Sequence, residues 1–246
     1  DLQMLIIFKE QKHIFLKIRN KNKNKIYYIN MNVLELFSGT GSVGKCCKEL
    51  GYNVISVDLL LPATHKIDIM DFDYKQYSKD YFGIIWSSPP CTSYSILQNS
   101  WIGRKKKNGE IFTKEQQEKD MIEADKIVKK TLEIINYFDC ELWFMENPQS
   151  GNLKNREYMK DIPYYDVDYC KYSDWGYRKR TRIWTNKENF DNKLCNKDCG
   201  FIIEGKHINN LGNDVFKKNG EKVSKNFTQK EKYRIPADLI YSLILE

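Results

Sequence analysis

Cys91 closes the run Ser88-Pro89-Pro90-Cys91, directly after the apolar stretch Phe82-Gly83-Ile84-Ile85-Trp86. Open α/β sheets hold their reacting groups just beyond the C-terminal ends of strands, where this thiol falls. A thiolate is a strong nucleophile and a ready leaving group, so it suits a transient covalent adduct. The two prolines stiffen its approach. Glu146 ends a second apolar run, Leu142-Trp143-Phe144-Met145, and those neighbours should raise its pKa so that it can hold a proton. Asn147 and Pro148 shape the turn that presents it. Arg180 and Arg182 alternate along a predicted strand and so share a face. The turn Phe37-Ser38-Gly39-Thr40-Gly41-Ser42 follows a strand and opens a helix. Its glycines let the backbone approach a ligand closely, and free amides at the helix start suit a carboxylate. Asp58 ends the next strand, where an acid commonly binds the two hydroxyls of a ribose.

These residues need a sheet to hold them, and the chain supplies one. Short apolar runs at 33–37, 54–58, 83–87, 141–146, 164–169 and 181–185 alternate with helical patterns, which predicts an α/β, doubly wound, mainly parallel sheet. A helix is predicted from Gly41 to about Leu50, ended by Gly51. A longer one spans 114–138, with Met121, Ala124, Ile127, Val128, Thr131, Leu132, Ile135 and Phe138 as a buried stripe. That stripe reads as core. Residues 186–227 are polar and weakly periodic, and 228–246 return to helical spacing through Ile235, Leu239, Leu243 and Ile244.

Composition narrows the setting. No apolar run approaches the roughly 20 residues needed to span a bilayer. Seven cysteines, odd in number and scattered, do not make a disulfide framework and imply a reducing, cytoplasmic setting. Abundant Lys, Asn, Ile and Tyr fit a microbial, phage or viral source with an AT-rich genome. Net charge is +7, but residues 1–30 hold seven Lys/Arg against two acids, so the surplus is concentrated there. Local clusters say more: Arg104-Lys105-Lys106-Lys107, and Arg178-Lys179-Arg180 with Arg182. The first cluster is balanced between a ligand-facing loop and an ordinary solvated one. Met31 reads as a natural start, with 1–30 a basic extension; the competing reading is an arm that touches phosphate.

In order and spacing, VLELFSGTGSVG, Ser-Pro-Pro-Cys, ELWFMENPQSG and Arg180-Thr181-Arg182 resemble the cytosine-5 DNA methyltransferase family. The resemblance is strong over 31–185 and faint over 225–246. It implies a Rossmann-like S-adenosylmethionine-dependent methyltransferase fold with a small irregular recognition region. It implies Cys91 as the nucleophile toward carbon 6 of a flipped cytosine and Glu146 as the group meeting ring nitrogen 3 and the exocyclic amine. Arg180 and Arg182 would hold the carbonyl oxygen, although Arg178 stands where the family has Gln. The cofactor would lie against Phe37, Ser38, Gly39, Thr40, Gly41, Ser42, Asp58 with Leu59, Asp68 with Ile69, and Pro89; Asp71 and Asp73 compete with Asp68. Residues 92–113 would be the loop that closes over the substrate, with Trp101 and with Gly103 and Gly109 as hinge candidates.

The implied division is a catalytic domain at 31–185, a reduced recognition region at 186–227 and a returning helix at 228–246. The expected partner is double-stranded DNA, with no membrane, on a monomer, and with room for a separate specificity or restriction partner. An RNA-acting relative and a non-catalytic nucleic-acid-binding relative are the alternatives. Intact Cys91, Glu146, Arg180 and Arg182 argue against the latter, and Glu-Asn-Pro leans towards DNA. Cys195 and Cys199 with His207 supply three of the four ligands zinc wants, and Cys170 is distant in sequence, so no metal site is expected. Cys46, Cys47 and Cys140 read as buried structural thiols.

Overall fold

The computed structural model describes the backbone of 5–10, 13–20, 25–29, 31–212, 217–218, 221–222 and 224–246, with side chains over 31–212 and 224–246. Residues 1–30 read as a basic extension by composition. Their described part is a three-stranded antiparallel sheet of β1 (Leu5–Glu10), β2 (His13–Asn20) and β3 (Lys25–Ile29). The β-branched and aromatic residues in LIIFKE, HIFLKIRN and KIYYI favour strands, a signal that the lysine content masks.

The main sheet has seven strands. In chain order they are β4 (Asn32–Leu36), β5 (Asn53–Asp58), β6 (His65–Lys66), β7 (Ile84–Ser87), β8 (Leu142–Pro148), β9 (Tyr164–Asp168) and β10 (Arg180–Thr185). Their spatial order is β6-β5-β4-β7-β8-β10-β9. The pairs from β6 to β8 are parallel, and β10 runs antiparallel between β8 and β9. From β4 the chain winds outward through β5 to β6, then returns to β7 on the other side. The crevice at the C-terminal ends of β4 and β7 is therefore the topological switch point, where such sheets bind ligands.

Central strands β4 and β7 are buried on both faces, as continuous apolar runs in parallel sheets usually are. Val33, Ile84, Trp86 and Phe144 face one core layer, which holds helices α1 (Ser42–Glu49) and α4 (Ala237–Leu245). Leu34, Leu36, Ile85 and Met145 face the other, which holds α2 (Lys114–Tyr137). In the expected stripe of α2, Met121, Val128, Thr131, Ile135 and Phe138 are buried. The Thr113 hydroxyl caps its first turn by accepting from the Gln116 amide. Helix α1 ends at Gly51, whose φ of +82° suits the left-handed residue after a helix.

Beyond β10 the elements are short: hairpin β11 (Ile202–Ile203) with β12 (Lys206–His207), hairpin β13 (Lys217–Lys218) with β14 (Glu221–Lys222), and α3 (Gln229–Lys232). A Thr228–Glu231 capping box starts α3. Leu239, Ile240 and Leu243 of α4 then bury against Val43, Cys46 and Cys47 of α1.

Candidate active site

The glycine turn begins in strain. Phe37, Gly39 and Gly41 all have positive φ, at 58°, 52° and 70°, and a Cβ on Gly41 would meet nothing within 4 Å. The turn thus leaves an open cradle in front of α1. Gly41 contributes no capping side chain, and the Glu35 carboxylate takes that role from strand β4, accepting from the Val43 and Gly44 amides. Burial pushes the pKa of Glu35 up to about 7, against the opposing pull of those amides. A Cβ on Gly44 would fall 2.5 Å from Glu35 Oε2, so the residue at that position must be small.

Ser38 is buried, and its hydroxyl has no partner among the described residues. The Asp58 carboxylate accepts from the Gly39 amide at 2.9 Å through one oxygen and from Leu60 and Leu61 at 2.9 and 2.8 Å through the other. The first oxygen keeps acceptor capacity for a hydroxyl. Leu59 beside it is exposed. The Asp68 carboxylate accepts from the Met70 amide at 2.9 Å, and Ile69 packs into the core. Thr40 and Ser42 hydroxyls lie 2.9 Å apart, and Ser42 Oγ also accepts from the Ile235 amide at 3.4 Å. The Ile235-Pro236 step is thereby tied to the cofactor-type turn.

The Pro-Pro-Cys and Glu-Asn-Pro segments meet through a buried contact: Asn147 Nδ2 donates to the Pro89 carbonyl at 2.9 Å. Pro89 is buried, Pro90 exposed, and Cys91 half-buried at the head of a short 3-10 turn, Thr92–Tyr94. Burial raises the Cys91 pKa first, the Glu146 charge raises it further, and the Lys179 ammonium opposes both. Glu146 is 7% exposed, but its surroundings are not simply apolar. Tyr169 donates its hydroxyl to Glu146 Oε1 at 3.1 Å, and Lys179 Nζ lies 3.6 Å from the same oxygen and above the Tyr169 ring. Lys179 and Tyr169 were not among the residues singled out from sequence. Lys179 sits inside the basic cluster 178–182, which offers no local sign of which member turns inward.

Arg180 and Arg182 do share a face, but it is the face opposite Glu146. In the β8–β10 register Glu146 stands across from Ile183, and side chains alternate along a strand. Arg180 binds Asp168 with both Nε and Nη2, at 3.0 and 2.7 Å, and Arg182 binds Asp166 likewise at 2.8 and 2.9 Å. Arg182 also stacks on Tyr164, 3.5 Å from the ring centroid.

Helix α2 contributes more than core. Asp125 is buried in its stripe, accepts from the Tyr94 and Tyr158 hydroxyls at 2.9 and 2.7 Å, and pairs with Arg156. This clasp fixes Tyr94, three residues past Cys91. A charged residue within an apolar stripe was the available signal for it. The 92–113 segment is ordered by its own bonds: Gly103 N to Phe112 O at 2.8 Å and Lys106 N to Glu110 O at 2.7 Å close a small hairpin around Gly109. Leu97, Trp101, Ile102 and Ile111 are exposed beside the basic run. Cys46, Cys47 and Cys140 are buried or half-buried, and burial raises all three thiols, Cys47 to about 12 and Cys140 to about 11. Cys195, Cys199 and His207, expected to be unrelated, gather with Cys170 into one cluster.

The strand order with its single antiparallel strand, the glycine turn after the first strand and the acid ending the second define the Rossmann-like fold of S-adenosylmethionine-dependent methyltransferases. No protein-family model matches the chain. The chain is 36% identical over 222 residues to a probable DNA (cytosine-5)-methyltransferase of Frog virus 3 (isolate Goorha), covering 87% of this chain and 99% of the relative. Among solved structures it is similar to the Entamoeba histolytica methyltransferase EhMeth (16% identity, TM-score 0.46, 68% of this chain and 56% of that one). It is also similar to the S. pombe Dnmt2 methyltransferase (12% identity, TM-score 0.42, 69% and 53%). The chain spans about half the length of these two. It belongs to the cytosine-5 DNA methyltransferase family, and it is a cytosine-5 methyltransferase. The family's methyl donor is S-adenosylmethionine. No helix among the described residues is long and apolar enough to cross a membrane.

Proposed function

We propose that this protein methylates carbon 5 of cytosine in duplex DNA through a covalent adduct with Cys91. The observation that carries the reading is the Asn147–Pro89 contact, which joins Pro-Pro-Cys to Glu-Asn-Pro and sets the Glu146 charge where it acts on the Cys91 thiol. Carbon 5 of cytosine is too weak a nucleophile to accept a methyl group unaided. Cys91 Sγ, as thiolate, adds to carbon 6 and leaves an enamine whose carbon 5 is nucleophilic. Glu146 faces ring nitrogen 3 and the exocyclic amine, and holds the proton that offsets charge developing on the ring. Lys179 favours the thiolate against the burial that opposes it. After transfer, loss of the carbon 5 proton expels the Cys91 thiolate and restores aromaticity.

S-adenosylmethionine, when bound, supplies the electrophilic methyl group. The residues present fit it: Gly39 and Gly41 leave an open cradle, the buried Ser38 hydroxyl has no partner among the described residues, and Asp58 keeps acceptor capacity for a ribose hydroxyl. Phe37, Thr40, Ser42, Leu59, Asp68, Ile69 and Pro89 complete the proposed lining. Arg180 and Arg182, on the face opposite Glu146, act on the site only through the strand pair they lock, with Asp168 and Asp166 as anchors.

A base inside a duplex is out of reach of a half-buried thiol, so the cytosine is flipped out. The segment 92–113, with its basic hairpin and exposed apolar side chains, covers the opened site. Residues 31–185 then form the catalytic part, 186–227 a reduced recognition region and 228–246 the returning helix. So small a region holds few base contacts, each worth about 1–3 kcal/mol of discrimination, so the target is short, roughly two to four base pairs. The viral relative's name points to DNA. Tritiated methyl incorporation into duplex DNA and into RNA, with wild type and Cys91→Ser, tests the reading. DNA labelling that Cys91→Ser abolishes while cofactor calorimetry is unchanged is expected; preferential labelling of RNA overturns the choice of substrate.

A further inference from the structure

Three separate segments bring four metal-binding side chains to one point. Cys170 lies in the turn after β9, Cys195 and Cys199 lie in the loop after β10, and His207 lies on β12. The four ligand atoms all fall within 4.8 Å of one another, and Cys195 Sγ is 3.4 Å from His207 Nε2. Tetrahedral zinc, with bonds of about 2.3 Å to sulfur and about 2.1 Å to nitrogen, holds its ligand atoms roughly 3.4–3.8 Å apart. The cluster needs only a small contraction to reach that geometry.

The chemistry of the set is specific. Three thiols and an imidazole are soft ligands that select Zn2+ over Mg2+ or Ca2+, and four protein ligands close the coordination sphere as in structural sites. Cys170 and Cys195 are buried, and Cys199 and His207 are half-buried. The loop is shaped for this. Lys197 takes φ +68° and Gly200 φ +82°, folding Cys195 and Cys199 back towards each other. Asp198 accepts from the Asn196 amide inside the loop and pairs with Lys171 at 3.0 Å, next to Cys170. The Cys195 amide donates to Asp168 Oδ2 at 2.8 Å, and Asp168 is the carboxylate that holds Arg180. The surrounding segment carries little apolar core of its own: from 186 to 212, Phe190 and Cys195 are its buried apolar side chains. Small irregular regions of this kind are commonly stapled by metal.

We propose that Cys170, Cys195, Cys199 and His207 bind one structural Zn2+ that fastens the segment 186–212 to the strand pair β9–β10. The metal would act through Asp168 on the placement of Arg180, and its binding does not depend on whether the substrate is DNA or RNA.

The full chain, purified under reducing conditions without chelator, tests this by elemental analysis. About one zinc per chain is expected, and cobalt exchanged into the site should give the intense visible absorption of tetrahedral thiolate-bound Co2+. Three thiols should react with Ellman's reagent only after a chelator is added. Cys199→Ser should lose most of the zinc, while Cys140→Ser keeps it. If Cys199→Ser fails to fold, the wild-type metal content and cobalt spectrum decide. A folded wild-type chain without zinc and without the cobalt absorption overturns the proposal, as does a disulfide between any two of the three cysteines.

Discussion

The two ends of the main sheet are built in different ways. At the parallel end, each group of interest lies within the segment that announces it: Gly39 and Gly41 after β4, Asp58 ending β5, Cys91 after β7, Glu146 in β8. At the antiparallel end, the important contacts join residues far apart in sequence. Arg180 meets Asp168 and Arg182 meets Asp166 by strand register, and Cys170 meets Cys195, Cys199 and His207 by loop folding. The parallel end is set by βα turns, whose geometry is local. The antiparallel end is set by pairings that no short window contains.

Breaking one buried carboxylate contact at each end compares them. Arg156→Met strands Asp125, which is buried beneath the Cys91 turn, and should cost about 3–5 kcal/mol, read by urea unfolding. A loss below about 1 kcal/mol would mean that the clasp does not hold the turn.

Glu35 gives the parallel end a pH signature. Its pKa is raised in the fold from 4.5 to about 7, so the native state binds its proton more tightly than the unfolded state does. The stabilisation is full below pH 4.5 and is lost as pH rises towards 7, on the order of 3 kcal/mol in all. Glu35→Gln should remove that slope from the stability curve measured between these limits.

At the antiparallel end, Asp168→Ala removes the buried acid and leaves Arg180, about a third exposed, able to reach water. The expected loss is smaller, about 1–3 kcal/mol, and the proposed zinc should exchange faster into a competing chelator. A larger loss than that of Arg156→Met would reverse the comparison.

The smallest effect crosses between the ends. Lys179 comes from the antiparallel end and lowers the pKa of Cys91 at the parallel end. Lys179→Met should therefore move the acidic limb of kcat/KM to higher pH, with little change at the plateau. An unmoved limb would separate Lys179 from the thiol.

The sequence was legible where structure is local. Six of the seven strands of the main sheet lie within a residue or two of the expected runs, because they carry longer apolar stretches; the two-residue edge strand β6 has no such run and is not expected from sequence. The 24-residue helix α2 follows from its 3.6-residue period. The inward turn of Lys179 and the opposite face of Arg180 and Arg182 depend on the register against β8, which alternation alone does not fix. The Cys3His cluster is not legible in the sequence because Cys170 stands 25 residues before Cys195, a separation that only the β9–β10 hairpin and the following loop close. In 1–30 the lysines masked the β-branched and aromatic content that favours three strands.

The central claim is that Cys91 forms a bond to carbon 6 of cytosine in DNA. Duplex DNA carrying 5-fluorocytosine, incubated with the full chain and S-adenosylmethionine, tests it most directly, because fluorine at carbon 5 cannot leave as a proton does and the adduct persists. A denaturant-resistant complex is predicted, with the modified peptide containing Cys91 and no complex from Cys91→Ser. A complex mapped to another cysteine, or none from an enzyme that methylates unmodified DNA, would contradict the account.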